Sequence, residues 1–435
     1  MSIFGKQGLN GVKVPHKKQT AACVPQSMPI PDRVYISLHM HMGAPCTPLV
    51  KKGDMVKVGQ LIGDSSAFMY AKTHSSVSGT VEGIQSMTTS SGAVDQVVVI
   101  ATDKLQTVDE SVQPPQVTDY PSFVQAIKDS GLVGLGGAGF PAHVKFNLKN
   151  LDDVDTLIIN GAECEPYITS DHRTMLDKTD YLLQGIRATQ KYMQIPTVYI
   201  GIEDNKPDAI QKLTEATADD PSIHVVSLRA QYPKGAEKVI AYECCGRVIK
   251  EGQLPFQAGL IVSNVTSMAF LGEYLATGMP LVNKVLTVDG SAIAKPQNVI
   301  APIGATFRDI IDFCGGFSQE PGKVLMGGPM MGTPIYTLDA PMVKNNNALI
   351  ALSREESQEP QPTACIRCGR CVRACPMSLM PAMLESAYKA KNIEELKALK
   401  VNLCIECGCC SYVCPARRPL VLANRISKRL IAPKK

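Results

Sequence analysis

Two cysteine runs near the end of the chain constrain it more than any other feature. Cys365-Ile-Arg-Cys368-Gly-Arg-Cys371-Val-Arg-Ala-Cys375-Pro376 is answered by Cys404-Ile-Glu-Cys407-Gly-Cys-Cys410-Ser-Tyr-Val-Cys414-Pro415. Each reads C-x2-C-x2-C-x3-C-P, a spacing that wraps three thiolates around one cubane iron–sulfur cluster and sends the fourth to its neighbour. One 4Fe–4S cluster is therefore expected on Cys365, Cys368, Cys371 and Cys414, and a second on Cys404, Cys407, Cys410 and Cys375. Gly369 and Gly408 let backbone amides turn toward the clusters, and Pro376 and Pro415 end each loop sharply. A zinc site would use four ligands in more widely spaced pairs, and a disulfide framework belongs to small secreted chains. Cys409 falls off the register and reads as a bystander thiol.

Such clusters relay single electrons, so the rest of the chain must hold what feeds them. Its 435 residues leave room for two to four domains. Fifteen cysteines with no export pattern, and no apolar run long enough to span a bilayer, point to a reducing, cytoplasmic setting. Charge is unevenly spread. After Arg354 fourteen Lys and Arg face seven Asp and Glu, whereas the preceding residues carry thirty against thirty-three. A basic cluster domain suits an acidic electron partner or an anionic lipid surface, and a solvated face with a basic tail accounts for it equally well. Nothing beyond this charge suggests nucleic acid.

Residues 1–32 are polar and broken by Pro15, Pro25, Pro29 and Pro31, and read as an arm. From Arg33 short β patterns alternate with glycine turns. Lys51–Asp64 followed by Val77-Ser-Gly79-Thr80-Val resembles the barrel-sandwich hybrid of lipoyl and biotinyl carriers. The carriers' modified lysine at a Met-Lys-Met tip is missing, because Ser65–Lys72 stands there, so a structural or docking role is expected rather than a swinging arm. His39 and His41 flank Met40 in an apparent strand, which would place both on one face. Residues 103–118 read as a linker.

A helix predicted over Pro121–Ser130 runs into Gly134-Leu-Gly136-Gly137-Ala-Gly139-Phe140-Pro141. The string satisfies G-x-G-x-x-G, but a dinucleotide fingerprint needs a strand before it. Its glycines still let amides approach a phosphate or a flavin edge, and Lys145 offers a countercharge. Strands at 155–160, 197–202, 223–228 and 260–264 alternate with helical stretches such as 172–194 and 206–217, which predicts a partly parallel, doubly wound sheet. The loop Gly161–Tyr167 leaves the first strand where open α/β sheets bind ligands. Val285–Gly290, a helix over Thr306–Phe313 and the glycine-rich return Gly327–Gly332 suggest a β-grasp-like module, followed by a linker at 353–362. Helical periodicity at Met383–Ala390 and Ile393–Leu399 predicts an α-helical ferredoxin domain.

Taken in order, the barrel-sandwich segment, GLGGAGFPAHVKF, NGAECEPYITSDHR, YPKGAEK, SNVTS, the β-grasp module and the two cysteine runs resemble the RnfC (RsxC) subunit of the Rnf complex over nearly the whole chain. That complex is a membrane-bound, ion-translocating ferredoxin:NAD oxidoreductase. The central part is also similar to the NADH-binding flavoprotein subunit of respiratory complex I. The resemblance implies an α/β multidomain protein: an arm (1–32), a barrel-sandwich hybrid (33–102), a Rossmann-like FMN/NADH domain (119–280), a β-grasp, SLBB-like module (281–340) and a helical ferredoxin domain with two 4Fe–4S clusters (355–435).

By the same likeness, non-covalent FMN would rest on Gly134, Leu135, Gly136, Lys145, Asn160, Glu163, Cys164, Tyr232, Gly235, Asn264 and Thr266. NADH would contact Phe140, Glu165 and Glu237. The complex I pattern has arginine where Leu135 stands, an acidic residue at Ala162, and Gly-Glu-Glu at Gly235-Ala236-Glu237. A hydride passes between NAD(H) and the flavin and single electrons reach the clusters, so no residue is assigned as an acid–base catalyst. The implied partners are the other Rnf subunits, membrane subunits and a ferredoxin-like cluster subunit among them, with this chain peripheral at the cytoplasmic face. Two rival readings are a cobalamin-reductase relative of the same build and a flavin-free iron–sulfur relay or docking subunit.

Overall fold

The computed structural model describes residues 9–90 and 92–432. At its centre four parallel strands lie in the order Ile223–Leu228, Thr197–Glu203, Thr156–Gly161 and Leu260–Asn264. Parallel strands covered on both faces read as continuous apolar runs. Leu157 and Ile159 pack with the helices Thr179–Met193 and Val265–Thr277, while Ile158 points to the other face and packs with Glu237–Cys245. The period of two thus separates two cores on one strand.

The helix expected over 172–194 is two, Ser170–Asp177 and Thr179–Met193. Lys178 leaves helical geometry at φ −124°, and the Thr179 hydroxyl donates to the Met175 carbonyl in place of the missing backbone bond. Apolar periodicity does not register such a break. Helices Thr179–Met193 and Val265–Thr277 touch through their backbones: a Cβ on Gly185 would lie 2.1 Å from the Met268 carbonyl oxygen, and one on Gly272 2.0 Å from that of Tyr181.

The N-terminal sandwich pairs an antiparallel sheet (Arg33–Ser37, Val94–Thr102, Gly79–Thr88, Met55–Val56) with a smaller one (Thr47–Pro48, Leu61–Asp64, Thr73–His74). Its first strand ends at Ser37, so His39 and His41 lie beyond it rather than in it. Their rings still meet edge-on at 5.6 Å, each Nε2 against a nearby carbonyl, of Gly43 and Ala44. The segment in place of a carrier tip faces the central domain, where Lys72 pairs with Asp129 at 2.7 Å. The Met42 amide donates to the Gly139 carbonyl at 3.0 Å.

A third sheet runs Gln26–Ser27, Gln297–Pro302, Asn283–Asp289, Ala348–Ser353, Pro321–Met326, Thr333–Pro334. It takes in a strand beyond residue 340 and another from the arm, Gln26–Ser27. Prolines interrupt the arm, but its backbone still finds partners: ahead of Pro15, Val12 and Tyr232 exchange both amide-to-carbonyl bonds, at 2.8 and 3.0 Å. In the C-terminal domain, Pro381–Lys389, Ile393–Ala398 and Leu420–Ile431 enclose Leu384, Ala387, Leu396 and Val401. Glu385 is buried there against Arg418 at 2.6 Å and Lys389 at 3.1 Å.

Candidate functional site

The two cysteine runs fold as one loop made twice. Arg367 and Gly369 in the first, and Glu406 and Gly408 in the second, have φ of +55°, +71°, +57° and +80°. Ser378 and Arg417, each three residues past the last cysteine of its run, are left-handed too, at +53° and +52°. Left-handed residues spaced along a loop turn neighbouring amides to its inside, the geometry of an anion-cradling nest. Cys365, Cys368, Cys371 and Cys414 line one cavity, and Cys375, Cys404, Cys407 and Cys410 line another, so each run delivers its fourth cysteine to the other's cavity.

The two sites differ in exposure. Cys365 and Cys368 are exposed, whereas Cys375, Cys407 and Cys410 are buried. Burial first, then the neighbouring Cys404, Cys407 and Cys375, pushes the Cys410 thiol up to about 12. Burial raises the Cys375 and Cys404 thiols as well, while the hydrogen bond with Cys409 holds Cys407 lower. Thiolates gathered this closely call for a compensating cation, the chemistry of a metal-cluster donor set. The Leu379 amide and the Asn424 side chain donate toward Cys375 and Cys404 sulfur at 3.4 and 3.5 Å. The inner site abuts the central domain: Cys407, Cys409 and Ala374 pack with Val12, Val14 and Tyr232, flanked by Cys164 and Met330. Cys409 is buried in this seam, its sulfur 3.9 Å from the Tyr232 carbonyl oxygen.

The residues expected around a flavin gather at the carboxyl end of the central sheet. Asn160 donates to the Gly235 carbonyl at 2.8 Å, and the Gly235 amide points at Cys164 sulfur at 3.5 Å. Opposite, the Gly134 amide closes the glycine loop on the Phe140 carbonyl, and the Leu135 amide donates to Ser267 Oγ at 3.0 Å. A Cβ on Gly136 would press on the Asn264 side chain at 3.2 Å, while Gly137, at φ +120°, faces open space. Asn264 caps its helix by accepting from the Thr266 and Ser267 amides. Its own amide and the Thr266 hydroxyl donate to Asp171, at 2.7 and 2.6 Å. The Asp171 and His172 amides in turn donate to Glu163. Lys145 donates to the Val262 carbonyl at 2.8 Å and stands 4.0 Å from Glu237.

Two hydroxyls there, Tyr232 Oη and Ser170 Oγ, are buried without a hydrogen-bond partner among the described residues. Such a group costs about 1–3 kcal/mol unless a partner arrives. Orphan hydroxyls in this part of the domain, together with the open space at Gly137, fit a ligand that, like FMN, carries polar atoms along its length.

Family models match the chain in the same sequence: the RnfC barrel sandwich hybrid domain over 7–105, the Nuo51 FMN-binding domain over 127–273, the SLBB domain over 285–334 and a 4Fe-4S dicluster domain over 359–416. The corresponding subunit of the Na(+)-translocating ferredoxin:NAD(+) oxidoreductase complex of Acetobacterium woodii is 41% identical over 426 residues, 97% of this chain and 96% of that one. The chain belongs to the RnfC family. Its counterpart in the proton-translocating ferredoxin:NAD(+) oxidoreductase complex of Clostridium ljungdahlii is 40% identical over 85% of this chain and 81% of its own. The counterpart in an ion-translocating oxidoreductase complex of Rhodobacter capsulatus is 36% identical over 89% and 75%. Among solved structures, a chain of an NAD+-reducing [NiFe]-hydrogenase aligns with a TM-score of 0.48 at 17% identity, over 72% of this chain and 61% of that one. Among the described residues no helix is long and apolar enough to cross a membrane.

Of the three residues expected to meet NADH in this RnfC chain, Glu237 lies beside Lys145, and Phe140 uses its carbonyl to close the glycine loop. Glu165 turns to the glycine-rich return of the SLBB segment, its carboxylate accepting the Met330 and Met331 amides at 3.0 and 2.8 Å. Burial pushes its pKa up to about 7, against the pull of those amides and Lys18. Folded Glu165 therefore keeps its proton where the unfolded group, near 4.5, has lost it. The stability this gives is full below about pH 4.5 and lost as pH rises through 7. Relative to a Glu165→Gln variant, the wild type is expected to lose thermal stability across that window; parallel melting curves for the two would rule this out.

Reasoning from sequence missed Asp171, Lys206 and Lys18. Asp171 joins Asn264 to Thr266, Lys206 donates to the Ala162 carbonyl at 2.7 Å, and Lys18 reaches the 163–168 loop from the arm. Only Asp171 had a signal, since it sits inside the NGAECEPYITSDHR string.

Proposed function

We propose that this chain is the NAD(H)-linked subunit of an ion-translocating ferredoxin:NAD+ oxidoreductase complex, passing electrons between two 4Fe–4S clusters, FMN and NAD(H). The observation that carries the reading is the seam at Tyr232, where the flavin-side residues Cys164 and Tyr232 and the cluster-side residues Cys407 and Cys409 share one apolar cluster. When bound, FMN supplies the conversion between hydride and single-electron transfer. The chain's own residues bind and align. Gly134–Gly136, Lys145, Asn160, Glu163, Cys164, Tyr232, Gly235, Asn264 and Thr266 hold the flavin; Phe140, Glu165 and Glu237 receive the nucleotide. The proposed segments are 33–102, 119–280, 281–340 and 355–435, the third of them extended by the strand Ala348–Ser353 that completes its sheet.

In this reading the inner cluster, on Cys375, Cys404, Cys407 and Cys410, lies between the flavin and the outer one, on Cys365, Cys368, Cys371 and Cys414. Exposed Arg367, Arg370, Ile366 and Val372 line the outer site, and exposed Arg373 and Arg417 line the adjoining cavity that Cys414 shares. A cationic rim around an apolar centre suits an acidic one-electron partner such as a ferredoxin-like subunit. The chain sits peripherally at the cytoplasmic face. Two relatives of nearly equal identity are named for different ions, Na+ and H+, as expected where ion passage belongs to other subunits.

The test is anaerobic. Protein reconstituted with iron, sulfide and FMN is titrated with NADH while flavin absorbance and cluster EPR are followed. Flavin bleaching followed by cluster signals is expected, and Phe140→Ala should raise the NADH concentration needed about tenfold or more with iron content unchanged. Clusters without flavin and without any response to NADH would leave an iron–sulfur relay instead.

A further inference from the structure

The arm does more than pack. From Val12, paired with Tyr232, it crosses the carboxyl end of the central sheet and joins the third sheet at Gln26. On the way the Lys18 ammonium donates to the carbonyls of Glu163 (2.9 Å), Glu165 (2.8 Å) and Ile168 (2.5 Å). These three bonds use every N–H the ammonium has. The loop it holds carries Glu163, Cys164 and Glu165 and contains two left-handed residues other than glycine, Glu163 at φ +46° and Tyr167 at +71°. Such backbone persists only where the surroundings over-determine it.

The adjoining arm residues reinforce the clamp. The Tyr167 amide donates to the His16 carbonyl at 3.0 Å, Lys17 Nζ lies 2.7 Å from Tyr167 Oη, and the Thr20 and Thr169 hydroxyls meet at 2.6 Å. Among the described residues, no other cation bonds to all three of these loop carbonyls.

We propose that Lys18 is a positioning residue for the flavin and nucleotide site: it fixes the 163–168 loop from a distant part of the chain, so that the site is complete only when the arm is laid across the sheet. The proposal rests on the flavin reading above for its functional consequence, though not for its geometry.

The experiment uses the full chain as wild type, Lys18→Met, Lys18→Arg and, as a control, Lys13→Met at an exposed position of the same arm. Three quantities are measured: iron content, the Kd of deflavinated protein for FMN by fluorescence quenching, and hydrogen–deuterium exchange of the 163–168 amides. Lys18→Met is expected to weaken FMN binding about tenfold or more and to speed exchange in the loop. Iron content stays at the wild-type level, Lys18→Arg recovers most of the affinity, and Lys13→Met changes nothing. Wild-type exchange in Lys18→Met overturns the clamp; faster exchange with unchanged FMN affinity overturns the positioning role. If the wild type itself binds no FMN, the flavin reading fails, and the exchange data still decide whether the clamp exists. Loss of iron together with FMN would show general unfolding and also count against the proposal.

Discussion

Replacing Cys407 with serine is expected to divide the electron line in two. The inner cluster is lost, iron falls to roughly half, and NADH still bleaches the flavin. The outer cluster, although intact, stays oxidised on the time scale in which the wild type reduces it. The reason is position: Cys407 belongs to the cavity that abuts Tyr232 and Cys164, whereas the outer cavity opens to solvent. Cys371→Ser is expected to do the converse, leaving a reducible inner cluster and no outer one. Crossed ligation adds a sharper pair. Cys414→Ser, in the second run, should remove the outer cluster, and Cys375→Ser, in the first, the inner. Iron analysis with EPR of each variant checks all four, and an outer cluster reduced at the wild-type rate in Cys407→Ser would refute the order.

Asp171→Ala is expected to weaken flavin binding strongly while sparing both clusters. Its carboxylate accepts from Asn264 and Thr266, and its amide holds Glu163, so one residue ties together three others proposed to meet the flavin. Alanine leaves the half-buried Asn264 amide without its acceptor, at a cost toward the lower end of the about 1–3 kcal/mol of a buried donor. With Asn264 and Thr266 freed to move, affinity for FMN should drop about a hundredfold, near 2.7 kcal/mol. Fluorescence titration of the deflavinated protein measures this directly. Wild-type affinity in Asp171→Ala would place the flavin elsewhere.

Much of the architecture was legible because it rests on local rules. The cysteine spacing is a statement about loop geometry, and four apolar runs bounded by turns became four parallel strands within a residue or so of the expected limits. Gly369 and Gly408 marked two left-handed positions, but Arg367 and Glu406, which share that conformation, carried no mark, since only glycine advertises it. The break at Lys178 escaped for a related reason: a threonine hydroxyl satisfies the carbonyl there, and apolar periodicity does not record it.

The sequence by itself determined which cysteines are spaced for clusters and which strands are buried, and pointed to the loops at the strand ends, because these follow from spacing, periodicity and backbone freedom. Only the tertiary structure decided that the arm bonds to the 163–168 loop, that Glu165 is held by the Met330 and Met331 amides, and that the inner cysteine site meets Tyr232. Those facts join residues some 150 or more positions apart in the chain. A hydrogen bond between such residues leaves no periodic trace in either segment, so it becomes visible only when the sheet brings the two together.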